Sequence, residues 1–261
     1  MARYINKEII CEAYIHLEVD DSFSPEKIKK IEAELKSFFD ARVKFLLGDS
    51  VQTEVETEPG SLKVKLTAFA GVATLLGAAV INYPNFREGV RTLHEDSKLL
   101  AEATNLETIF VTKTPSCDRL HAEARTGVIG RIAKLVSSIE NLRDQAKNLA
   151  APTKKTDINR IIETTRAVDN LSTEAVKLLS KVQTDEDRFC IAKGLFSAFK
   201  QLPETLQAEK ELKNSPLKQS ILNGLNLDIA TAAEFQRYSA AVRNAKETLK
   251  KIGVASRPQK A

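Results

Sequence analysis

The chain has 261 residues, 43% of them hydrophobic and 28% charged, which is ordinary for a globular protein able to bury one large core or two modest ones. Gly and Pro are few (10 and 8), Trp is absent, and the 39 basic against 35 acidic residues leave a net charge of only +4. That excess is too small to imply nucleic acid by itself, and three widely spaced cysteines exclude a disulfide framework and fit a reducing, cytoplasmic compartment. The N-terminus MARYINKEIICEAYIHLEV lacks the continuous apolar core of a secretion signal.

The segment IICEAYIHLEV alternates, with Cys11, Ala13, Ile15, Leu17 and Val19 on one side, and predicts a half-buried strand. A helix is expected to follow, capped by Ser24, started by Pro25 and stopped near Gly48. VQTEVETE and SLKVKL alternate on either side of Pro59-Gly60 and predict a hairpin, with Glu54 and Glu56 near Lys63 and Lys65.

Between Lys65 and Arg87 there is no charge. The alternation predicts that its first part ends a strand and that a buried helix of about 13 residues runs from Phe69 to Ile81, some 20 Å at helical rise. A bilayer core needs about 30 Å, so the alternative, a membrane-anchored protein with Leu66–Phe86 inserted, requires the strand alternation to be ignored. NFREGVRTLHEDSKLLAEATN then predicts a helix, and LETIFVTKT, β-branched and aromatic, a fourth strand ended by Pro115. The resulting order β-α-β-β-α-β is the split arrangement of ferredoxin-like domains.

From Asp118 onward the pattern predicts helices alone, including one capped by Asp157. The expected organisation is an α+β ferredoxin-like domain over 1–115, an all-α helical region over 116–254 and a loose tail over 255–261. In the last helix Tyr238, Val242, Ala245, Leu249 and Ile252 form an apolar stripe, a candidate for self-assembly or for internal packing.

The sequence has no phosphate-binding loop, dinucleotide fingerprint, zinc-protease helix, C-x-x-C pair or serine-hydrolase elbow, and no cofactor is indicated. Cys117 and His121 have the spacing of half a zinc site, but two further ligands are not apparent. Lys113, Arg119, Arg125, Arg131 and Lys134 form the densest basic segment, able to meet an acidic protein surface or nucleic acid. Strand aromatics for stacking bases amount to Tyr14 and Phe110.

Three stretches, EPGSLKVKL, YPNFREGV and TKTPSCDRLHAEARTGVIGRI, resemble a family of uncharacterised bacterial proteins over about residues 50–135. That family has no assigned activity, so the resemblance carries no functional residue across. The hairpin also looks like that of ferredoxin-like adaptor domains found beside signalling NTPases in conflict systems, which implies an interaction role in bacterial defence or stress. The expected function is therefore a non-enzymatic interaction or assembly protein. Its partner would be another protein or a second copy, with the membrane-anchored and nucleic-acid-binding proteins as alternatives.

Overall fold

The computed structural model describes residues 8–18, 24–58, 62–77, 82–113, 119–152, 155–224 and 228–257. The chain divides into two compact units, one of residues 1–133 with 181–187, the other of 134–180 with 188–261.

The first unit is built on β1 (Ile9–Leu17), α1 (Pro25–Leu47), β2 (Gln52–Glu58), β3 (Leu62–Phe69), α2 (Val72–Leu76), α3 (Tyr83–Thr112) and β4 (Arg119–Arg125). The four strands form one antiparallel sheet in the order β2-β3-β1-β4. The alternation of β1 and β3 sends Cys11, Ala13, Ile15 and Leu17, with Leu62, Val64, Leu66 and Ala68, to one buried face. That face is covered by α1, which packs on β2 and β3, and by α3, which packs on β1 and β4.

α1 has the ends that its sequence dictates, and α3 the start. The Ser24 hydroxyl accepts from the Lys27 N–H at 3.3 Å with Pro25 at the first helical position, and Gly48 closes α1 at φ 95°. Asn82 caps α3 in the same way, accepting from the Asn85 N–H at 3.0 Å, with Pro84 in its first turn. Leu35, Phe39 and Val43 of α1 and Phe86, Val90 and Leu100 of α3 supply the buried stripes.

Three expectations are corrected. LETIFVTKT is not a strand: as far as Thr112 it is the last part of α3, and the fourth strand is Arg119–Arg125, where the pattern predicts helix alone. Here β-branched content misleads, because Thr104, Thr108 and Thr112 are spaced four apart and buried on one helix face. Each hydroxyl donates to the carbonyl four residues back, at 2.7–2.8 Å, so the polar groups are satisfied inside the helix. The real strand RLHAEAR has no β-branched residue and owes its conformation to antiparallel pairing with β1. The helix expected over Phe69–Ile81 is α2, only Val72–Leu76, with Phe69 still in β3. Residues 78–81 and the turn at Pro59-Gly60 lie outside the described residues. Among the described residues no helix is long and apolar enough to cross a membrane.

The second unit is helical. It holds most of α4 (Gly127–Asn148) and α6 (Asp185–Phe199), together with α5 (Lys155–Leu179), α7 (Gln207–Lys213), α8 (Pro216–Gly224) and α9 (Asp228–Ala255). α5 starts two residues before Asp157, so that residue lies within the helix instead of capping it. α9 packs on α5, and Tyr238 is fully buried with its hydroxyl donating to the Pro203 carbonyl at 2.9 Å.

Candidate interaction surface

α3 has two distinct faces. One is the buried row of Phe86, Val90, Ser97, Ala101, Thr104 and Thr108. On the opposite side Asn85, Thr92, Asp96, Leu99, Ala103, Leu106 and Phe110 follow one another at spacings of seven, four, three, four, three and four residues, which is a single straight row on a helix. In that row Leu99, Leu106 and Phe110 are 56%, 66% and 78% exposed. Isolated exposed leucines are ordinary; three large apolar side chains in register on one helix face are not. At its N-terminal end the row becomes one wall of a groove of about 660 Å³, whose apolar lining includes Leu46 of α1, Leu75 of α2 and Leu93. Asn85 to Phe110 spans about 38 Å at helical rise.

The row is edged with carboxylates. Glu88, Glu95 and Glu102 recur every seven residues along one side, and Asp96 and Glu107 lie within or beyond the other. Arg91 meets Glu88 at 2.5 Å and Lys98 meets Glu102 at 3.6 Å, both from further round the helix. Burial, then the neighbouring Glu95 charge, raises the Asp96 carboxyl above its ordinary pKa.

The other sheet face, away from the two helices, is a lattice of opposite charges. Across the four strands, Glu56, Lys65, Tyr14 and Glu123 form one row, and Glu58, Lys63, His16 and His121 the next. Lys65 meets Glu56 at 2.9 Å, as the alternation predicts, whereas Lys63 meets Glu58 at 2.8 Å and Glu54 stands opposite Thr67 instead of a lysine. At the centre Glu12 is completely buried, with Arg125 Nη1 at 2.7 Å and Lys65 Nζ at 3.7 Å. Arg125 also lies 5.3 Å above the Tyr14 ring and bonds Glu123 at 2.5 Å. These cations are committed to carboxylates of their own sheet.

A third feature is a carboxyl pair. Glu8, at φ 53°, faces Asp187, whose Oδ1 accepts from the Ala73 N–H at 2.5 Å. Glu8 Oε1 and Asp187 Oδ2 are both buried without another partner, and a proton donated by Glu8 to Asp187 gives the pair a bond. Burial first, then the Asp187 charge and that bond, raise the pKa of Glu8, against the opposing bonds from Thr184. A raised carboxyl pKa contributes stability that is complete at low pH and is lost as pH rises through the folded-state value. Glu8→Gln keeps a donor toward Asp187 without titrating, so chemical denaturation at pH 7.5 should find it more stable than the parent. The difference should vanish toward pH 4; an unchanged or negative difference at pH 7.5 refutes the shared proton.

The residues singled out from sequence fall in different places. Lys113 ends α3 in a left-handed conformation, Arg119 and Arg125 lie on β4, and Arg131 and Lys134 are exposed on α4. Of these, Arg125 is drawn into the sheet lattice. Tyr238, Val242, Ala245 and Leu249 are buried within the helical unit, and Ile252 is half-buried, so their stripe is used in internal packing. Cys117 lies outside the described residues and His121 is on a strand. Among the described residues no group of three or more His, Cys, Asp or Glu could hold a metal. Cys11 is buried and its thiol is pushed up to about 12, chiefly by burial, which leaves it protonated and unreactive. The α3 row is broken up by local pattern, which leaves Leu99 and Ala103 in a helix and assigns Leu106 and Phe110 to a strand. The seven-residue recurrence of Leu99 with Leu106 and of Ala103 with Phe110 is the signal that could have found it.

Comparisons with protein-family models, with curated proteins and with solved structures find no match.

Proposed function

We propose that the chain is a non-enzymatic protein-interaction component, and that the outer face of α3 is its binding surface. The observation that carries this reading is the exposed row Leu99, Leu106 and Phe110 continuing into the groove beside Leu46 and Leu75. An apolar row of this length on one helix suits a partner helix laid along it. The first unit is read as a ferredoxin-like module, since its strand order β2-β3-β1-β4, with a helix between β1 and β2 and another between β3 and β4, is the order of the split β-α-β arrangement. The resemblance to ferredoxin-like adaptor domains of conflict systems accords with an adaptor role and would set it in defence or stress responses.

A photo-crosslinking amino acid at Ala103, half-buried within the row, tests the reading in the cells that make the protein. A discrete protein adduct is expected at Ala103 and none from exposed Lys30 of α1; it should disappear in Leu106→Asp and Phe110→Asp. Because both side chains are exposed, these variants should unfold within about 0.5 kcal/mol of the parent. Adducts that survive both substitutions, or form equally at Lys30, refute the assignment.

A further inference from the structure

Resting on that reading, we infer that the partner of the α3 row is an amphipathic helix whose apolar stripe is flanked by lysine or arginine. The carboxylates select it. Glu88, Glu95 and Glu102 form a ladder at seven-residue intervals, the period at which a helix packed along α3 presents equivalent positions. Asp96 lies in the row itself, and Glu107 borders it on the other side near Leu106 and Phe110. Arg91 and Lys98 offset only part of this charge, and both sit further from the row than the carboxylates they meet.

A second copy of the chain fits poorly. Packed antiparallel, the ladder of one copy would face the ladder of the other, setting Glu95 and Glu102 against their equivalents. Packed parallel, Glu102 would approach the Glu107 of the other copy. Either arrangement brings like charges together as water is removed, which opposes association. A helix with basic flanks turns the same carboxylates into cross-helix ion pairs and relieves the repulsion between Glu95 and Asp96. The charge should act mainly on specificity and association rate, and the apolar row on retention.

The test is fluorescence anisotropy of the full chain with two labelled synthetic helical peptides that share a leucine stripe, one with lysine flanks and one with glutamate flanks. The lysine peptide should bind about tenfold or more tightly than its twin at low salt, with the advantage shrinking as salt is raised. Glu95→Lys combined with Glu102→Lys should invert the preference, and Leu106→Asp should abolish binding of both peptides. Equal affinity for both peptides, lost in Leu106→Asp, would overturn the charge selection while leaving the α3 row as a binding surface. Binding of neither, with a concentration-dependent dimer in sedimentation that Leu106→Asp dissolves, would replace the basic helix by a second copy. Binding of neither by a strict monomer would overturn the inference, and the adduct at Ala103 then decides separately whether the row binds anything.

Discussion

Replacing Gly127 with alanine is expected to destabilise the protein by about 3 kcal/mol or more, the largest effect of any single methyl addition at a described glycine. Gly127 opens α4 at φ +46°, and a Cβ there would lie 2.8 Å from the Ile9 carbonyl carbon and closer still to its oxygen. Those are backbone atoms of β1, where Ile9 is paired with Phe69 of β3, so they cannot yield as the end of a flexible side chain would. The start of α4 therefore passes against β1 at a distance only glycine permits. Gly48 is the control: it too has positive φ, at 95°, but no atom within 4 Å of the added methyl. Gly48→Ala should cost only the backbone strain of a conformation, φ 95° and ψ 172°, that is essentially glycine's alone, about 1–3 kcal/mol with no clash added to it. Denaturant midpoints for the two variants measure the difference, and equal losses would mean that the close approach to Ile9 does not exist.

Arg125→Leu is expected to cost about 3 kcal/mol, because it strands the fully buried carboxylate of Glu12. Lys65 remains, but at 3.7 Å it is the more distant of the two cations, and it is shared with Glu56. The sharper measurement is the double variant. Glu12→Gln placed in the Arg125→Leu background removes the stranded charge, so it should recover part of the loss, whereas the two changes would simply add if the residues were independent. A strictly additive result would show that Arg125 is not what neutralises Glu12. This pairing also bears on the basic segment between Lys113 and Lys134, since the residue at its centre is engaged inside the sheet.

The sheet is legible in the sequence where alternation is driven by burial. β1 and β3 each place an apolar residue at every second position, and a one-residue slip would send all of them to the charged face, so their inner faces can be read, whereas the end of β3 at Phe69 falls where the pattern predicts the start of a helix. The caps of α1 are equally legible, because Ser24-Pro25 and Gly48 act locally. The end of α3 and the whole of β4 are not. Threonines at spacing four look like strand residues until their hydroxyls are seen bonded along the helix, and RLHAEAR becomes a strand only through its partner. The carboxyl pair is invisible for a different reason: Glu8 and Asp187 are far apart in the chain and share no local pattern. The α3 row is present in the sequence as a seven-residue recurrence, but deciding which of two apolar rows faces the core requires knowing that the helix continues to Thr112.

The central claim, that the outer row of α3 is a surface covered by a protein partner, is tested most directly by thiol protection. A single reporter, Leu106→Cys in a Cys117→Ser background, leaves Cys11 and Cys190, both buried, as the other thiols. Its reaction with a soluble maleimide should be fast in the purified chain and slowed several-fold in an extract of the cells that make the protein. A control reporter, Lys30→Cys on the exposed side of α1, should react at the same rate in both. Equal rates for the Leu106→Cys reporter in the purified chain and in the extract would contradict the account.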